Sequence, residues 1–408
     1  MTLALPVGWT LAQIGELAQV RGGKRLPAGF ELQDTPTPFP YIRVTDMRDG
    51  GVDDTGIRFV PVKAAPAIRN YRIGKDDIFI SVAGTLGVVG RVPSSLHNAN
   101  LTENADRLTE IKCNLEFLMY SLLSDPIQRE IEAIRTIGAQ PKLALGRIKS
   151  FEITLPSDKN EQARIASALS DADDLIAALE RHIAKRRAIK QGIMQELLTG
   201  RTRLPGFDGP VPVVKLGGIA SMKSGGTPDT KVSRYYGGDI PWVSISDMTS
   251  GGKYIRSTHQ TLTEAGLKRS AAKLYAPDVV LYAMYASLGE CSMAIGQVTS
   301  SQAILGIQAD SELDREFLYY CLQSSRDRVR TLGQQGTQSN LNAGMVRNFE
   351  IRLPPIGEQT AIVEVLSDAD ADIEALERRL KTTRDIKQGM MQELLTGRTR
   401  LPVEEDAE

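Results

Sequence analysis

Apolar residues recur at alternating steps of four and three along two stretches of the chain. One series is Ile165, Leu169, Ala172, Ile176, Leu179 and Ile183; the other is Ile362, Leu366, Ala369, Ile373, Leu376 and Leu380. Such a seam turns one stripe of a helix toward a partner helix. Both seams falter at polar stretches, Lys185-Arg186-Arg187 and Thr382-Thr383-Arg384, and resume at Met194–Leu198 and Met391–Leu395. Thr199-Gly200 and Thr396-Gly397 then read as helix stops. About 42 residues at 1.5 Å each predict rods of roughly 60 Å.

Outside the two seams the pattern is that of short strands. Tyr41–Met47 (YIRVTDM), Asp76–Gly84 (DDIFISVAG) and Phe151–Pro156 (FEITLP) are β-rich runs bounded by Gly, Asp or Pro. Leu115–Ile134 has helical periodicity, interrupted by Pro126. The second half repeats this order. Ile240–Gly252 answers the first run, Pro277–Gly289 the second and Glu316–Gln323 the helix. Gly336–Pro354 ends in FEIRLP as the first half ends in FEITLP.

The helices repeat far more closely than the segments before them. Glu161–Pro205 returns without a gap as Glu358–Pro402, an offset of 358 − 161 = 197 residues, with about two-thirds of the positions identical. A fixed internal period of this kind defines the architecture. The chain reads as α+β: two mixed αβ domains, each followed by a long helix. The boundaries fall at 1–156, 157–205, 206–354 and 355–402, with an acidic tail at 403–408. The helices are expected to pair with each other as an antiparallel coiled coil, which closes the molecule with pseudo-twofold symmetry. Identical helices suit one partner bound twice, and divergent domains suit two different targets.

Composition narrows the chemistry. Lys+Arg 49 against Asp+Glu 50 gives a net charge of −1, so nucleic-acid binding must come from local patches. Cys113, Cys291 and Cys321 lie far apart without CxxC spacing, and His97, His182 and His259 are scattered, which argues against structural zinc or a disulfide framework. The N-terminus lacks a signal pattern and no run approaches the ~20 apolar residues of a membrane span, so a cytoplasmic location is expected. Gly23-Lys24 and Gly252-Lys253 lack the earlier glycine of a P-loop. The chain also has no G-x-S-x-G elbow, no H-E-x-x-H, no Asp…Glu-x-Lys nuclease cluster and no Asn/Asp-Pro-Pro-aromatic signature. Carboxylates gather on the helix faces (Asp171, Asp173, Asp174, Glu180; Asp368, Asp370, Asp372, Glu374), as on solvated or partner-facing surfaces. No covalent chemistry is expected.

Polar loops recur at equivalent places in both halves. Arg21, Lys24 and Arg25 stand on a glycine-rich turn where amides and cations can meet phosphates, and Lys223 and Thr227 occupy its counterpart. Arg43 and Arg48 flank the first strand turn, where the second domain has Ser244, Ser246 and Thr249. A later loop carries Gln140 and Lys142 in one half and Gln335, Gln338 and Asn340 in the other. Gln and Asn read adenine edges and Arg reads guanine. Any one loop taken alone reads as an ordinary surface turn; three loops recurring with altered side chains favour recognition.

The arrangement resembles the DNA-specificity subunit of type I restriction-modification enzymes. The likeness is carried by GGTPDTKVSRYYGGDIPWVSISDM (Gly225–Met248), by the GxQ…L…FEIxLP stretch closing each domain, by LPPIGEQ (Leu353–Gln359) and by the repeated QELLTGRTRLP. It implies two target-recognition domains that read a split sequence in double-stranded DNA, spaced by the antiparallel helices. It also implies two methyltransferase subunits docked on the repeated helix ends (Glu196, Leu197, Leu198; Glu393, Leu394, Leu395), and two restriction/translocase subunits. The family's subunit has no activity of its own; S-adenosylmethionine, ATP and magnesium belong to its partners. Arg21–Phe30 departs from the pattern, lacking the TP and YYGGD elements found at Thr227–Asp239. Two other readings are a protein–protein scaffold with the helices as spacer, and an enzyme with a site at a domain–helix junction.

Overall fold

The computed structural model describes residues 5–135, 141–326, 328–329 and 340–402. It divides into two compact units, one formed by Met1–Glu180 with Arg378–Glu408 and the other by Arg181–Glu377. The divisions fall inside the two long helices, so each unit holds one end of each helix.

The first unit is built on an antiparallel four-stranded sheet in the order Gln19–Gly22, Ala105–Thr109, Ile78–Ser81, Val89–Arg91. Ile78, Phe79 and Ile80 are all fully buried, which explains an apolar run without alternation: both faces of this strand are covered. A second four-stranded sheet (Arg58–Phe59, Pro40–Ile42, Ala99–Leu101, Arg72–Ile73) contains one parallel pair. Trp9–Gln13 pairs with Glu152–Pro156 and closes the unit. Pro126 acts as expected. It separates helix Leu115–Leu122 from helix Asp125–Arg135 and stands in the first turn of the latter, where its missing N–H costs nothing.

The second unit repeats the plan with a five-stranded sheet (Ala220–Ser224, Ile304–Ala309, Val280–Ala283, Cys291–Ala294, Tyr254–Ile255) and a three-stranded one (Gln260–Leu262, Tyr236–Val243, Thr299–Ser300). Val213–Lys215 pairs with Glu350–Arg352, as the equivalent strands do in the first unit.

The run Tyr41–Met47 is not one strand. The strand ends at Ile42 and Val44–Asp46 turns as a 3₁₀ helix, because the Asp46 carboxylate reaches back to accept from the Arg43 amide at 2.8 Å. The second unit does the same more fully. Ser244 caps helix Ile245–Gly251 while Asp247 accepts from the Ser244 amide at 2.8 Å.

The long helices run from Lys159 to Thr199 and from Ile356 to Leu394. Ile165, Leu169, Leu179 and Ile183 of the first seam are buried, as are Ile362, Leu366 and Ile373 of the second. Within each unit the two helices are joined by ion pairs that repeat under the 197-residue offset. Asp173–Lys387 at 2.5 Å and Glu161–Arg400 at 2.6 Å in the first unit correspond to Lys190–Asp370 at 2.5 Å and Arg203–Glu358 at 2.5 Å in the second. Glu180–Arg384 and Arg187–Glu377 form a third such couple. Each pair is the other with donor and acceptor exchanged between helices.

The Glu-Gln dipeptide that opens each repeat anchors its helix to its own domain. Gln162 Oε1 accepts from the Asn114 amide, and its Nε2 donates to the Pro156 carbonyl, both at 2.8 Å. Gln359 does the same with the Asp314 amide and the Pro354 carbonyl, also at 2.8 Å. Both glutamines are buried, where an unpaired amide is expensive, so this part of the repeat has a structural cause.

Candidate nucleic-acid interface

In the first unit, three loops meet at one end of the antiparallel sheet. The Gly23 amide donates to the Ala105 carbonyl at 2.9 Å and the Lys24 amide to the Leu101 carbonyl at 2.8 Å. The Val82 amide donates to Asn104 at 2.7 Å, and the Leu143 amide to Val82 at 2.9 Å. These bonds tie the glycine-rich turn, the turn before Ala105–Thr109 and the segment carrying Lys142 into one cluster. Gly23 has no alternative: a Cβ there would lie 1.9 Å from the Thr102 carbonyl oxygen.

The second unit builds the same cluster. Gly225 donates to Ile304 at 3.0 Å, Gly226 to Ser300 at 2.8 Å, Met284 to Ala303 at 2.8 Å and Leu341 to Met284 at 3.0 Å. A Cβ on Gly225 would meet Ser300 Oγ and the Ser301 carbonyl at 2.3 Å. An aromatic donor holds the same carbonyl in each unit: Tyr41 hydroxyl to Lys24 at 3.0 Å, and Trp242 Nε1 to Gly226 at 3.0 Å. Burial pushes the Tyr41 hydroxyl up to about 12, so it stays a proton donor throughout the physiological range.

The expected site residues divide into two groups on this frame. Lys24, Arg25 and Lys142 are exposed at the cluster in the first unit, and Asn340 is exposed at the equivalent cluster in the second. Lys24 also lies 5.7 Å over the Tyr71 ring. Thr227 sits there too, its hydroxyl donating to Gln302. Arg21 and Lys223 lie one or two residues back, on the strands that lead into the turns; Arg21 pairs with Glu110 at 3.0 Å and Lys223 is exposed.

Other expected residues are committed elsewhere. The Arg43 guanidinium holds Asp46 at 2.6 Å and the Gly56 carbonyl at 2.7 Å, and that Asp46 bond raises its pKa. Arg48 donates to the Thr45 and Met47 carbonyls at 2.9 and 2.8 Å. Ser244 and Ser246 bond each other at 2.8 Å within the helix cap. These four brace the strand turn. Gln140, Gln335 and Gln338 lie outside the described residues.

The partner surface expected at the helix ends needs a correction. Leu197 and Leu198 are buried in the core of the second unit, and Leu394 and Leu395 in that of the first. Glu196 accepts from Thr202 at 2.9 Å and Glu393 from Thr399 at 3.1 Å, so both close the turn after their helix. The four leucines serve the cores of the units, while the Glu196 and Glu393 side chains remain 46% exposed.

Three residues at the clusters escaped sequence reading. Glu103 pairs with Arg25 at 3.1 Å, and Gln302 bonds Thr227. Tyr285 is partly exposed and precedes Ala286, which has φ +58° where the first unit has Gly84 at +77°. An Ala in that conformation is strained. The detectable signal was positional: each residue lies just before or after a strand that matches between the halves.

Among the described residues no His, Cys, Asp and Glu cluster could hold a metal, and no helix is long and apolar enough to cross a membrane. Burial pushes the Cys321 thiol up to about 12 and raises Cys291 as well, which removes both as nucleophiles. One polar cluster joins Lys253, Glu316, Tyr254, Tyr320 and Asp370. In it Lys253 Nζ lies 2.8 Å from Glu316 and 3.0 Å from the Tyr320 hydroxyl, and Tyr320 donates to Asp370 at 2.7 Å. Its Tyr320–Asp370 part, with Lys190 on the same carboxylate, recurs as Tyr120, Asp173 and Lys387, the tyrosine donating at 2.9 Å, so that part clamps domain to helix.

Comparison with known proteins gives a consistent result. The profile of the type I restriction modification DNA specificity domain matches residues 6–186 and 210–383. A putative type I restriction enzyme specificity subunit, MjaX, of Methanocaldococcus jannaschii is 26% identical over 97% of this chain and 95% of its own length. The MjaVIII specificity subunit of the same organism is 26% identical over 98% and 95%. Among solved structures, a chain from work on complex assembly and conformational transition of a type I R-M system aligns with TM-score 0.61 at 18% identity, covering 97% of this chain and 100% of that one. The type I restriction-modification S subunit from M. genitalium aligns with TM-score 0.59 at 18% identity, covering 97% and 98%. These two establish likeness of fold.

Proposed function

The chain belongs to the type I restriction-modification DNA-specificity family and is a specificity subunit of that class; we propose that each of its two units reads one half of a bipartite sequence in double-stranded DNA. One observation carries this reading: the same backbone cluster, held by the same bonds, presents different side chains in the two units. A conserved frame with exchanged side chains is what two related readers of unlike half-sites require. Lys24, Arg21, Lys142 and Lys223 supply phosphate contacts that set register, and the remaining exposed groups face base edges.

In this proposal the two long helices pair antiparallel as a coiled coil and set the spacing of the half-sites. The reciprocal ion pairs support that register. Two methyltransferase subunits bind the surface the helices repeat. Gly192 and Gly389 are exposed helix-interior glycines with no neighbour within 4 Å of an added Cβ. Each weakens its helix by roughly 0.5–1 kcal/mol relative to alanine without any contact inside the chain to explain it. Beside them Ile189 and Ile386 are 45% and 56% exposed. Close approach of a partner backbone accounts for both. Chemistry, S-adenosylmethionine, ATP and magnesium then reside in the methyltransferase and restriction subunits, and the assembly is cytoplasmic.

Labelled S-adenosylmethionine and DNA incubated with the chain, its methyltransferase, or both provide the test. Methylation at one bipartite sequence is expected only from the pair. Transfer by the chain alone, or sequence-independent transfer by the pair, would overturn the proposal.

A further inference from the structure

The two units differ in one pair of side chains set at the same place on the shared frame. Counting two residues on from the clamped glycines Gly23 and Gly225 gives Arg25 and Thr227. Counting two back from their acceptors Ala105 and Ile304 gives Glu103 and Gln302. The residues so reached touch each other in both units: Arg25 Nε is 3.1 Å from Glu103, and the Thr227 hydroxyl donates to the Gln302 side-chain oxygen. A guanidinium–carboxylate pair in one unit is therefore a hydroxyl–carboxamide pair in the other, while the backbone beneath is unchanged.

One member of each pair, Arg25 and Gln302, stands open to solvent, with Glu103 and Thr227 half-buried beside it. The Arg25 side chain is 75% exposed, Glu103 31% and Gln302 is exposed. An ion pair this exposed is weak in water, so it orients the two groups without binding them away from a ligand. Arg25 and Gln302 are not packed in the core, while the Glu103 carboxylate also accepts from the Thr102 hydroxyl at 3.2 Å and lies 3.5 Å from the Tyr41 hydroxyl. Beneath them buried Tyr41 or Trp242 holds the carbonyl of the residue after the clamped glycine, which fixes the backbone that carries Arg25 or Thr227.

From this we infer that Glu103 with Arg25, and Gln302 with Thr227, are the specificity-determining pair of each unit: the first reads a G·C base pair and the second an A·T base pair at the corresponding position of its half-site. The inference rests on the DNA reading proposed above. Its chemistry is that of the major groove. Arg donates to guanine O6 and N7, a carboxylate accepts from cytosine N4, and a carboxamide meets adenine N6 and N7 as both donor and acceptor. A charged Arg–Glu pair opposite A·T would leave the carboxylate facing thymine O4, acceptor against acceptor. Arg25 is thereby assigned to bases and Lys24 beside it to phosphate.

The experiment exchanges the pairs in the full-length chain assembled with its methyltransferase. Target preference is read by methylation of a duplex library randomised in both half-sites. E103Q combined with R25T is expected to turn one G·C position of the first half-site to A·T, shifting the ratio there by roughly five- to 150-fold while the second half-site stays as in the parent. Q302E combined with T227R is expected to do the reverse, and Q302A alone to lose the preference at its one position. Variants that melt like the parent yet keep both preferences unchanged would overturn the inference. So would a uniform loss across all sequences with a shallower salt dependence, which marks phosphate contacts. A parent complex that selects no bipartite sequence would instead remove the DNA reading itself.

Discussion

Replacing Lys190 by methionine isolates the contribution of one reciprocal ion pair. Methionine retains the alkyl stem and removes the ammonium. Lys190 Nζ lies 2.5 Å from Asp370 Oδ1, with the side chains 13% and 25% exposed. It also sits 5.4 Å over the Tyr320 ring. An exposed pair contributes about 0.2–1 kcal/mol, whereas removing one member of a fully buried pair costs about 3–5 kcal/mol. Asp370 would keep the Tyr320 hydroxyl at 2.7 Å, so it is not stranded. The charge term then falls near 1.5–2 kcal/mol, and the lost cation–π contact adds ~0.5–1 kcal/mol. Lys190→Met should cost about 2–3 kcal/mol. Lys387→Met should cost less, about 1–2 kcal/mol, because its partner Asp173 is 40% exposed and already better solvated. The chain offers a direct assay, since its two tryptophans, Trp9 and Trp242, fall one in each unit. Urea unfolding is followed by fluorescence in Trp9→Phe and Trp242→Phe backgrounds. Lys190→Met should move the Trp242 transition more than the Trp9 transition, and Lys387→Met the reverse. A double-mutant cycle with Asp370→Asn supplies the decisive number. A coupling under about 0.3 kcal/mol would mean the pair is a solvated surface contact and not a reciprocal lock.

Three further outcomes follow from single contacts. Ala286→Gly relieves a left-handed alanine (φ +58°) and should stabilise the second unit by about 1 kcal/mol, read as a rise of roughly 2–4 °C in melting temperature; no change would show that the turn tolerates Ala without strain. Gly192→Ala and Gly389→Ala should each raise stability by roughly 0.5–1 kcal/mol while weakening assembly with the methyltransferase, a combination that sedimentation and melting together detect. Unimpaired assembly in the more stable variants would remove the partner from that surface. Lys24→Ala should weaken binding to all DNA sequences alike and reduce the salt slope by about one; a sequence-dependent loss would place Lys24 on a base instead.

What could be read from the sequence depended on the distance between the residues involved. The apolar stripes of the helices were legible because Ile165, Leu169, Ile362 and Leu366 recur at helical steps, and all four are buried, in the cores of the two units. Pro126 and the prolines ending FEITLP and FEIRLP act through their own backbone, so their effect was local and visible. The capping of Val44–Asp46 was also local, an acidic side chain three residues on, but the β-rich run obscured it. Arg43 and Arg48 read as free cations because their acceptors, Gly56 and Asp53 among them, become neighbours only when the turn forms. The partners Glu103 and Gln302 lie 78 and 75 residues from Arg25 and Thr227, and only the sheet brings them together. Leu197 and Leu198 were taken for an outward surface because an apolar pair at a helix end carries no mark of which side its core will occupy.

The close identity of the two helices has two separable causes. Lys190 and Lys387, Asp173 and Asp370, Arg203 and Arg400, Glu161 and Glu358 bond across the helices in pairs that map onto each other under the 197-residue offset. In such an arrangement a change in one copy breaks a contact unless the other copy changes as well, so the chain constrains its own repeat. Buried Met194, Leu198, Met391 and Leu395 are explained by packing in the cores of the units, and the helix stops at Gly200 and Gly397, with φ of +66° and +69°, by the backbone freedom of glycine. Ile189 and Ile386 with Gly192 and Gly389 are not, because they are exposed and the glycines touch nothing. Helix propensity and solvation both disfavour them where they stand. Their repetition therefore calls for a constraint from outside the chain, applied equally to both copies. The methyltransferase bound twice, as proposed above, would supply it, and the residues internal packing leaves unexplained mark where that partner should be sought.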